Sequence, residues 1–232
     1  MRAITAVLVS LVSLGATGCH QVASKNIPTE NMEADIKVVV NGDNVASVSA
    51  SLKLRDEAFA YVDLSPGESI FVDAGGDRRA MSDVGFSYAL TMPLLQHSQS
   101  MQVSIERAYY ASAFDSFVTL PQPFELFVTQ EPSASGSDMI YVEWDQLSDD
   151  PMKVTLDGPC LFEHTAYIDS FQDDGVYVVS AGSLDLHRSW DGGSCPVSIT
   201  VERSRSGVVD SRLSGGTIEA VQERRETMLI YR

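Results

Sequence analysis

Basic side chains are scarce in this chain: 16 Lys and Arg stand against 32 Asp and Glu, a formal net charge of −16 at pH 7. Phosphate recognition needs clustered cations, so no nucleic-acid partner is expected. The same deficit opposes lying flat on anionic lipid. We read the acidic surface as a solubility device. Histidines are few and scattered singly, at His20, His97, His164 and His187. Close C-x-x-C or H-x-x-x-H pairs are lacking, so neither a zinc site nor a cofactor is expected. No apolar run reaches the about 20 residues that a membrane-spanning helix requires. After residue 18 there is no helical stripe, no Gly-x-Ser-x-Gly elbow and no strand–helix rhythm, which removes the motif basis for an α/β hydrolase.

What is present begins with a leader. Met1-Arg2 is a short positive start, an apolar stretch runs from Ala3 to Leu14, and small residues Gly15-Ala16-Thr17-Gly18 lead to Cys19. Charge, short apolar core and small-residue end make a secretory signal over 1–18. Ala16-Thr17-Gly18-Cys19 resembles a bacterial lipobox, with Ala16 standing where Leu is usual. The resemblance implies lipid on the Cys19 thiol, cleavage just before it and acylation of the new amine. A chain with two or more acyl groups stays on a membrane without any apolar protein surface. His20 is not the Asp that retains such proteins at the inner membrane, so the resemblance points to the outer membrane. An ordinary signal peptide with an incidental cysteine is the alternative. Residues 19–33 are polar, carry Pro28 and lack periodicity, and are expected to form a flexible tether.

The other two cysteines, Cys160 and Cys195, are an even pair in an oxidising compartment, which predicts a disulfide. A pair of metal ligands is the alternative. The body reads as β. Ala46, Val48, Ala50, Leu52 and Leu54 alternate with polar neighbours, and so do Val197, Ile199 and Val201. Similar short runs recur along the chain, including Thr217–Val221 and Thr227–Tyr231, between turn clusters such as Asn41-Gly42-Asp43 and Asp73-Ala74-Gly75-Gly76.

The two halves also echo each other. Ala60-Tyr61-Val62-Asp63 matches Ala166-Tyr167-Ile168-Asp169, Ile70–Gly75 matches Val178–Gly182, Val103–Arg107 matches Ile199–Arg203, and Asp115-Ser116 matches Asp210-Ser211. Four matches in order predict an internal repeat of about 100 residues, the size of a sandwich domain. The expectation is two tandem antiparallel β-sandwiches, domain 1 at 34–130 and domain 2 at 137–232. The boundary falls in the small polar stretch from Gln130 to Ser137. Each is similar to an immunoglobulin-like sandwich in architecture alone, because Trp144 precedes Cys160 instead of following it.

Catalytic residues are not assigned. Ser183, Asp185 and His187 share one face of an extended segment, but a triad needs convergence in space. Glu106 and Glu202, each followed by Arg, are read as structural Glu–Arg pairs at strand ends. Calcium could use oxygen-rich loops at Asn41–Asn44, at Asp145 with Asp149 and Asp150, at Asp169 with Asp173 and Asp174, or at Asp73 with Asp77. None has the spacing of a known calcium loop, and turn chemistry explains Asp and Asn beside Gly, so no metal site is assigned. Tyr109, Tyr110, Phe114 and Trp190 are the candidate contact surface, the alternative being that they cap the sandwich cores. The functional expectation is a lipid-anchored, non-enzymatic envelope protein that binds a protein or glycan. A structural subunit of a surface complex is the alternative, and a hydrolase of envelope polymers a third reading.

Overall fold

Strict alternation of apolar and polar residues favours extended chain with one buried face, and strands dominate the computed structural model. It describes residues 20–57, 60–94, 99–131, 139–145, 148–169, 173–180, 182–188, 190 and 193–231. The leader and Cys19 lie outside them.

The first-half strands are β1 (His20–Ala23), β2 (Met32–Val40), β3 (Val45–Leu54), β4 (Ala60–Asp63), β5 (Ser69–Ala74), β6 (Asp77–Ala80), β7 (Ser82–Asp83), β8 (Tyr88–Pro93), β9 (Ser100–Glu106) and β10 (Ala113–Thr119). Then come β11 (Leu126–Glu131), β12 (Met139–Trp144), β13 (Met152–Gly158), β14 (Leu161–Ile168), β15 (Val176–Val179), β16 (Ser194–Ser206) and β17 (Gly215–Tyr231). The described residues hold no α-helix, only two single turns of 3-10 helix at Ser24–Asn26 and Thr29–Asn31.

One large sheet runs β1-β4-β3-β2-β17-β16-β13-β14, with β8 and then β7 attached beside β3. Among the described residues there are also a four-stranded sheet, β10-β9-β5-β6, and a three-stranded sheet, β11-β12-β15. Most pairs are antiparallel, but β1 with β4 and β17 with β2 are parallel. The fold is therefore all-β and sandwich-like, as the alternation predicts, with two parallel contacts that the alternation does not reveal.

Buried apolar residues form two clusters. Ala34, Ile36 and Val38 of β2, Val48 of β3, Val72 of β5 and Val103 of β9 belong to the first. Val142 of β12, Val154 and Leu156 of β13 and Val197, Ile199 and Val201 of β16 belong to the second. Cys160 and Cys195 form the expected disulfide, with Cα atoms 6.1 Å apart, and join the β13–β14 turn to the start of β16. Closing its loop contributes about 4 kcal/mol on the chain-entropy account.

Three expectations need correction. First, the stretch from Gln130 does not separate the cores. Leu126–Glu131 and Met139–Trp144 pair antiparallel, Glu131 facing Met139, so the strands on either side of the stretch share one sheet; 132–138 themselves lie outside the described residues. Small polar residues suit a hairpin connection as well as a linker. The chain passes between clusters earlier, from Leu120 in the first to Phe124 in the second, across Pro121-Gln122-Pro123. Nor does 137–232 serve one core, since Leu213, Ile218 and Ala220 are buried in the first.

Second, only the first sequence echo keeps its place, Tyr61 of β4 lying opposite Lys53 of β3 as Tyr167 of β14 lies opposite Lys153 of β13; the later ones do not. β5 and β9 are neighbours in the four-stranded sheet, whereas β15 lies in the three-stranded sheet and β16 in the large one. Asp115 and Ser116 sit in β10, while Asp210 and Ser211 lie between β16 and β17. Alternating strands use few residue types, so short matches recur without shared topology.

Third, residues 20–33 are not a loose tether. β1 pairs with β4, Ile27 is buried, and Ser24 and Thr29 have almost no exposure. Their polarity serves a buried ion pair. Arg107 Nε donates to Glu68 Oε1 at 2.8 Å, and both side chains are fully covered. The rest of the Arg107 fork donates to the carbonyls of Ser24 and Ile27, both at 2.9 Å, and to Thr29 Oγ1 at 3.2 Å. The Ser24 hydroxyl bonds to Glu68. Composition signalled solvation; the structure spends those polar groups on one another.

Candidate functional site

Exposed aromatics concentrate around β10, the outer strand of the four-stranded sheet. Its backbone is irregular, with a register shift between Ala113 and Ser116 against β9. The shift turns Phe114 outward at 41 % exposure, and alternation turns Phe117 outward as well. Tyr109 and Tyr110 stand exposed in the connection just before the strand, Tyr110 beneath the Arg107 guanidinium at 5.4 Å.

A distant segment completes this surface. Val208 is exposed and exchanges both backbone hydrogen bonds with Phe117, at 2.8 and 2.9 Å. Gly207 permits the approach, since a Cβ there would stand 2.1 Å from the Phe117 carbonyl. Asp210 locks the irregular turn. Its Oδ2 accepts the N–H groups of Phe114 at 2.6 Å and Asp115 at 2.8 Å, while its own N–H donates to Ser116 Oγ at 3.0 Å. Burial alone would raise the Asp210 pKa. Backbone donors from Arg212, Asp115 and Phe114, with the Arg212 charge, outweigh it and hold the carboxyl below its usual range.

Of the four expected contact residues, the structure brings Tyr109, Tyr110 and Phe114 to one strand end. It places Trp190 elsewhere, partly buried against the second cluster with its backbone N–H donating to the His187 carbonyl. Trp190 thus caps a core. Phe117 and Val208 were missed because the alternation of β10 is broken by the register shift, and Val208 arrives from far along the chain.

The other candidates disperse. His187 packs its ring 4.1 Å from Phe162, Asp185 gives its carbonyl to the Phe162 N–H, and Ser183 donates its N–H to the Ser180 carbonyl. Among the described residues no hydrogen bond joins the three side chains. The neighbouring Glu and Arg do not pair as expected. Glu106 meets Arg78 at 2.5 Å, and Glu202 meets Lys153 at 3.0 Å and Lys37 at 3.8 Å, while Arg107 and Arg203 turn inward. The hydrogen bond from Lys153 to Glu202 raises the lysine pKa, the reverse of what a nucleophilic amine needs.

The oxygen-rich loops spend their carboxylates locally. Asp73 accepts the Gly76 N–H, Asp145 the Glu125 N–H, and Asp173 the Trp144 indole N–H. Asp150 holds Arg205 at 2.8 Å. Among the described residues, no three His, Cys, Asp or Glu side chains group as metal ligands. No helix of the described residues is long and apolar enough to cross a membrane.

No family model matches the chain, and no curated protein matches it. Among solved structures, it is similar to two crystal forms of a cytokine receptor complex. Each aligns over 84% of this chain, and over 93% and 99% of its own, at 12% and 11% identity and a TM-score of 0.32. A Salmonella alpha-2-macroglobulin mutant aligns over 85% of this chain and 15% of its own, at 12% identity and a TM-score of 0.27. Likenesses this distant say nothing about activity.

Proposed function

We propose that this chain is a lipid-anchored cell-envelope protein that binds another envelope component, a protein or a glycan, through the β10 surface, and that it is not an enzyme. The observation that carries the binding role is the cluster of exposed apolar side chains, Tyr109, Tyr110, Phe114, Phe117 and Val208, on a strand end whose backbone Asp210 holds in place. Aromatics presented on a rigid backbone are the residues that dominate binding energy, because they bury much area and lose little entropy. The anchoring role rests on Ala16-Thr17-Gly18-Cys19, and His20 after the cysteine supports the outer membrane as its address.

The test is capture from detergent-solubilised envelope by the full lipidated chain. A retained partner should be lost on Tyr109→Ala with Phe114→Ala and Phe117→Ala. Each anchor is worth about 1.4 kcal/mol or more, so affinity should fall roughly ten-fold per residue. Tyr167→Ala, changing an exposed side chain on β14, should leave capture intact. Equal capture by all variants removes the β10 surface from consideration. Separately, Cys19→Ala should release the protein from the membrane fraction.

A further inference from the structure

The residue that follows Cys19 is already part of the fold. His20 opens β1, which runs beside β4 with Gln21 opposite Tyr61. Consecutive Cα atoms are only about 3.8 Å apart, so a lipid on Cys19 leaves no slack between membrane and body. Beside this edge stands the turn joining β7 to β8. Gln21 Nε2 donates to the Gly85 carbonyl at 2.9 Å, and the Phe86 ring lies 5.3 Å from the Tyr61 ring. The turn has a fixed shape: Asp83 Oδ1 accepts the Gly85 N–H at 2.7 Å, and the Val84 N–H donates to the Ser87 carbonyl at 2.9 Å. On it Val84 is 60% exposed and Phe86 51%.

We propose that Val84 and Phe86, flanked by Tyr61, form a membrane-docking face that rests in the bilayer holding the Cys19 lipid. This rests on the lipid-anchor reading of Cys19. The acyl chains supply the affinity, and the turn sets the orientation of the body. Exposed apolar and aromatic side chains such as Val and Phe bury at the boundary between headgroups and acyl chains, and a Tyr ring beside them keeps its hydroxyl at the headgroups. The charges nearest the face are of both signs: Lys53 of β3 lies opposite Tyr61 of β4, and Asp83 is tied to the turn. Attraction to anionic lipid is therefore not the driving term, and zwitterionic phosphatidylcholine is the appropriate surface.

The experiment uses the full chain, purified with its lipid and reconstituted into phosphatidylcholine vesicles with brominated acyl chains. Phe86→Trp places a reporter on the face, and Val84→Trp is a second, independent reporter should the first disturb folding. The unsubstituted protein supplies the background from Trp144 and Trp190. At a burial depth of about 5–10 Å, the emission added by either reporter should shift to the blue and fall roughly two-fold or more relative to unbrominated vesicles. Lipid on Cys19 in the mass spectrum with no quenching at 84 or 86 overturns the docking face and leaves the anchor standing. Absence of lipid on Cys19 overturns both. Cross-linking of position 86 to a second copy, without quenching, assigns the face to self-association and overturns the proposal as well.

Discussion

Arg107 and Glu68 form a fully buried ion pair that is costly to separate. Both side chains are sealed from water, and five further groups of the N-terminal segment and β2 complete their hydrogen bonds. Removing one partner strands a buried charge, so Arg107→Ala should lower stability by about 3–5 kcal/mol and free residues 24–29 to proteolysis. Acid should act through the same site. Burial raises the Glu68 pKa, but bonds from Ser24 and Arg107, the Ser65 N–H and the Arg107 charge outweigh it, and the net value lies below the ordinary 4.5. Asp210 and Asp35 are likewise held below their ordinary 3.8. A lowered folded pKa contributes stability that is complete above the ordinary value and lost as pH falls through the folded one. The urea midpoint should therefore be level from neutral pH to about pH 5 and fall below that, with a shallower fall in Glu68→Gln. A midpoint independent of pH down to about 3 would contradict this.

Strands that follow the period-2 rule were legible, and those that break it were not. β3 reads directly from Ala46, Val48, Ala50 and Leu52, all buried. β6, Asp77–Ala80, is a charged edge with no buried residue, so nothing in its pattern marks a strand. β17 shows in the sequence as two short runs because its middle is polar from Gln222 to Glu226. Here the strand leaves the first core and meets the crossover: Gln222 Nε2 reaches the Pro121 carbonyl at 3.4 Å, and Arg224 lies over Phe124 at 5.4 Å. The candidate surface was half legible for a related reason. Tyr109, Tyr110 and Phe114 are local in sequence, whereas Val208 is joined to Phe117 only by tertiary pairing. At the head of β17 the parallel contact with β2 depends on Gly216, with φ +119° and room for no Cβ, which would lie 2.0 Å from the Ala34 carbonyl. Gly216→Ala should cost about 3 kcal/mol by overpacking and forbidden backbone geometry, read as a lowered thermal midpoint. An unchanged midpoint would mean that the β2–β17 contact tolerates separation.

At the scale of the molecule, β17 and its neighbour β16 join the two cores. β17 gives Ile218 and Ala220 to the first cluster and Ile230 to the second, while pairing β2 over Gly215–Gln222 and β16 over Glu219–Tyr231. The crossover is pinned from the same two strands. Arg203 donates to the Gln122 carbonyl at 3.1 Å and stacks over Phe124 at 4.9 Å, and Arg205 reaches the Leu120 carbonyl at 3.5 Å. Tandem domains with a flexible linker would each keep a complete core and unfold on their own. Here a fragment of residues 20–130 lacks Leu213, Ile218 and Ala220 from its core and loses the neighbour of β2, exposing the edge of a long apolar strand. That fragment should fail to fold cooperatively and should aggregate, and the full chain from residue 20 should unfold in one transition by both circular dichroism and tryptophan fluorescence. Because Trp144 is buried in the second cluster and Trp190 packs against it, fluorescence reports that core while circular dichroism reports all strands. Coincident curves are the signature of coupling. Two resolved transitions, or a fragment that folds alone, would restore the picture of independent domains and reduce β17 to a strand that merely passes between them.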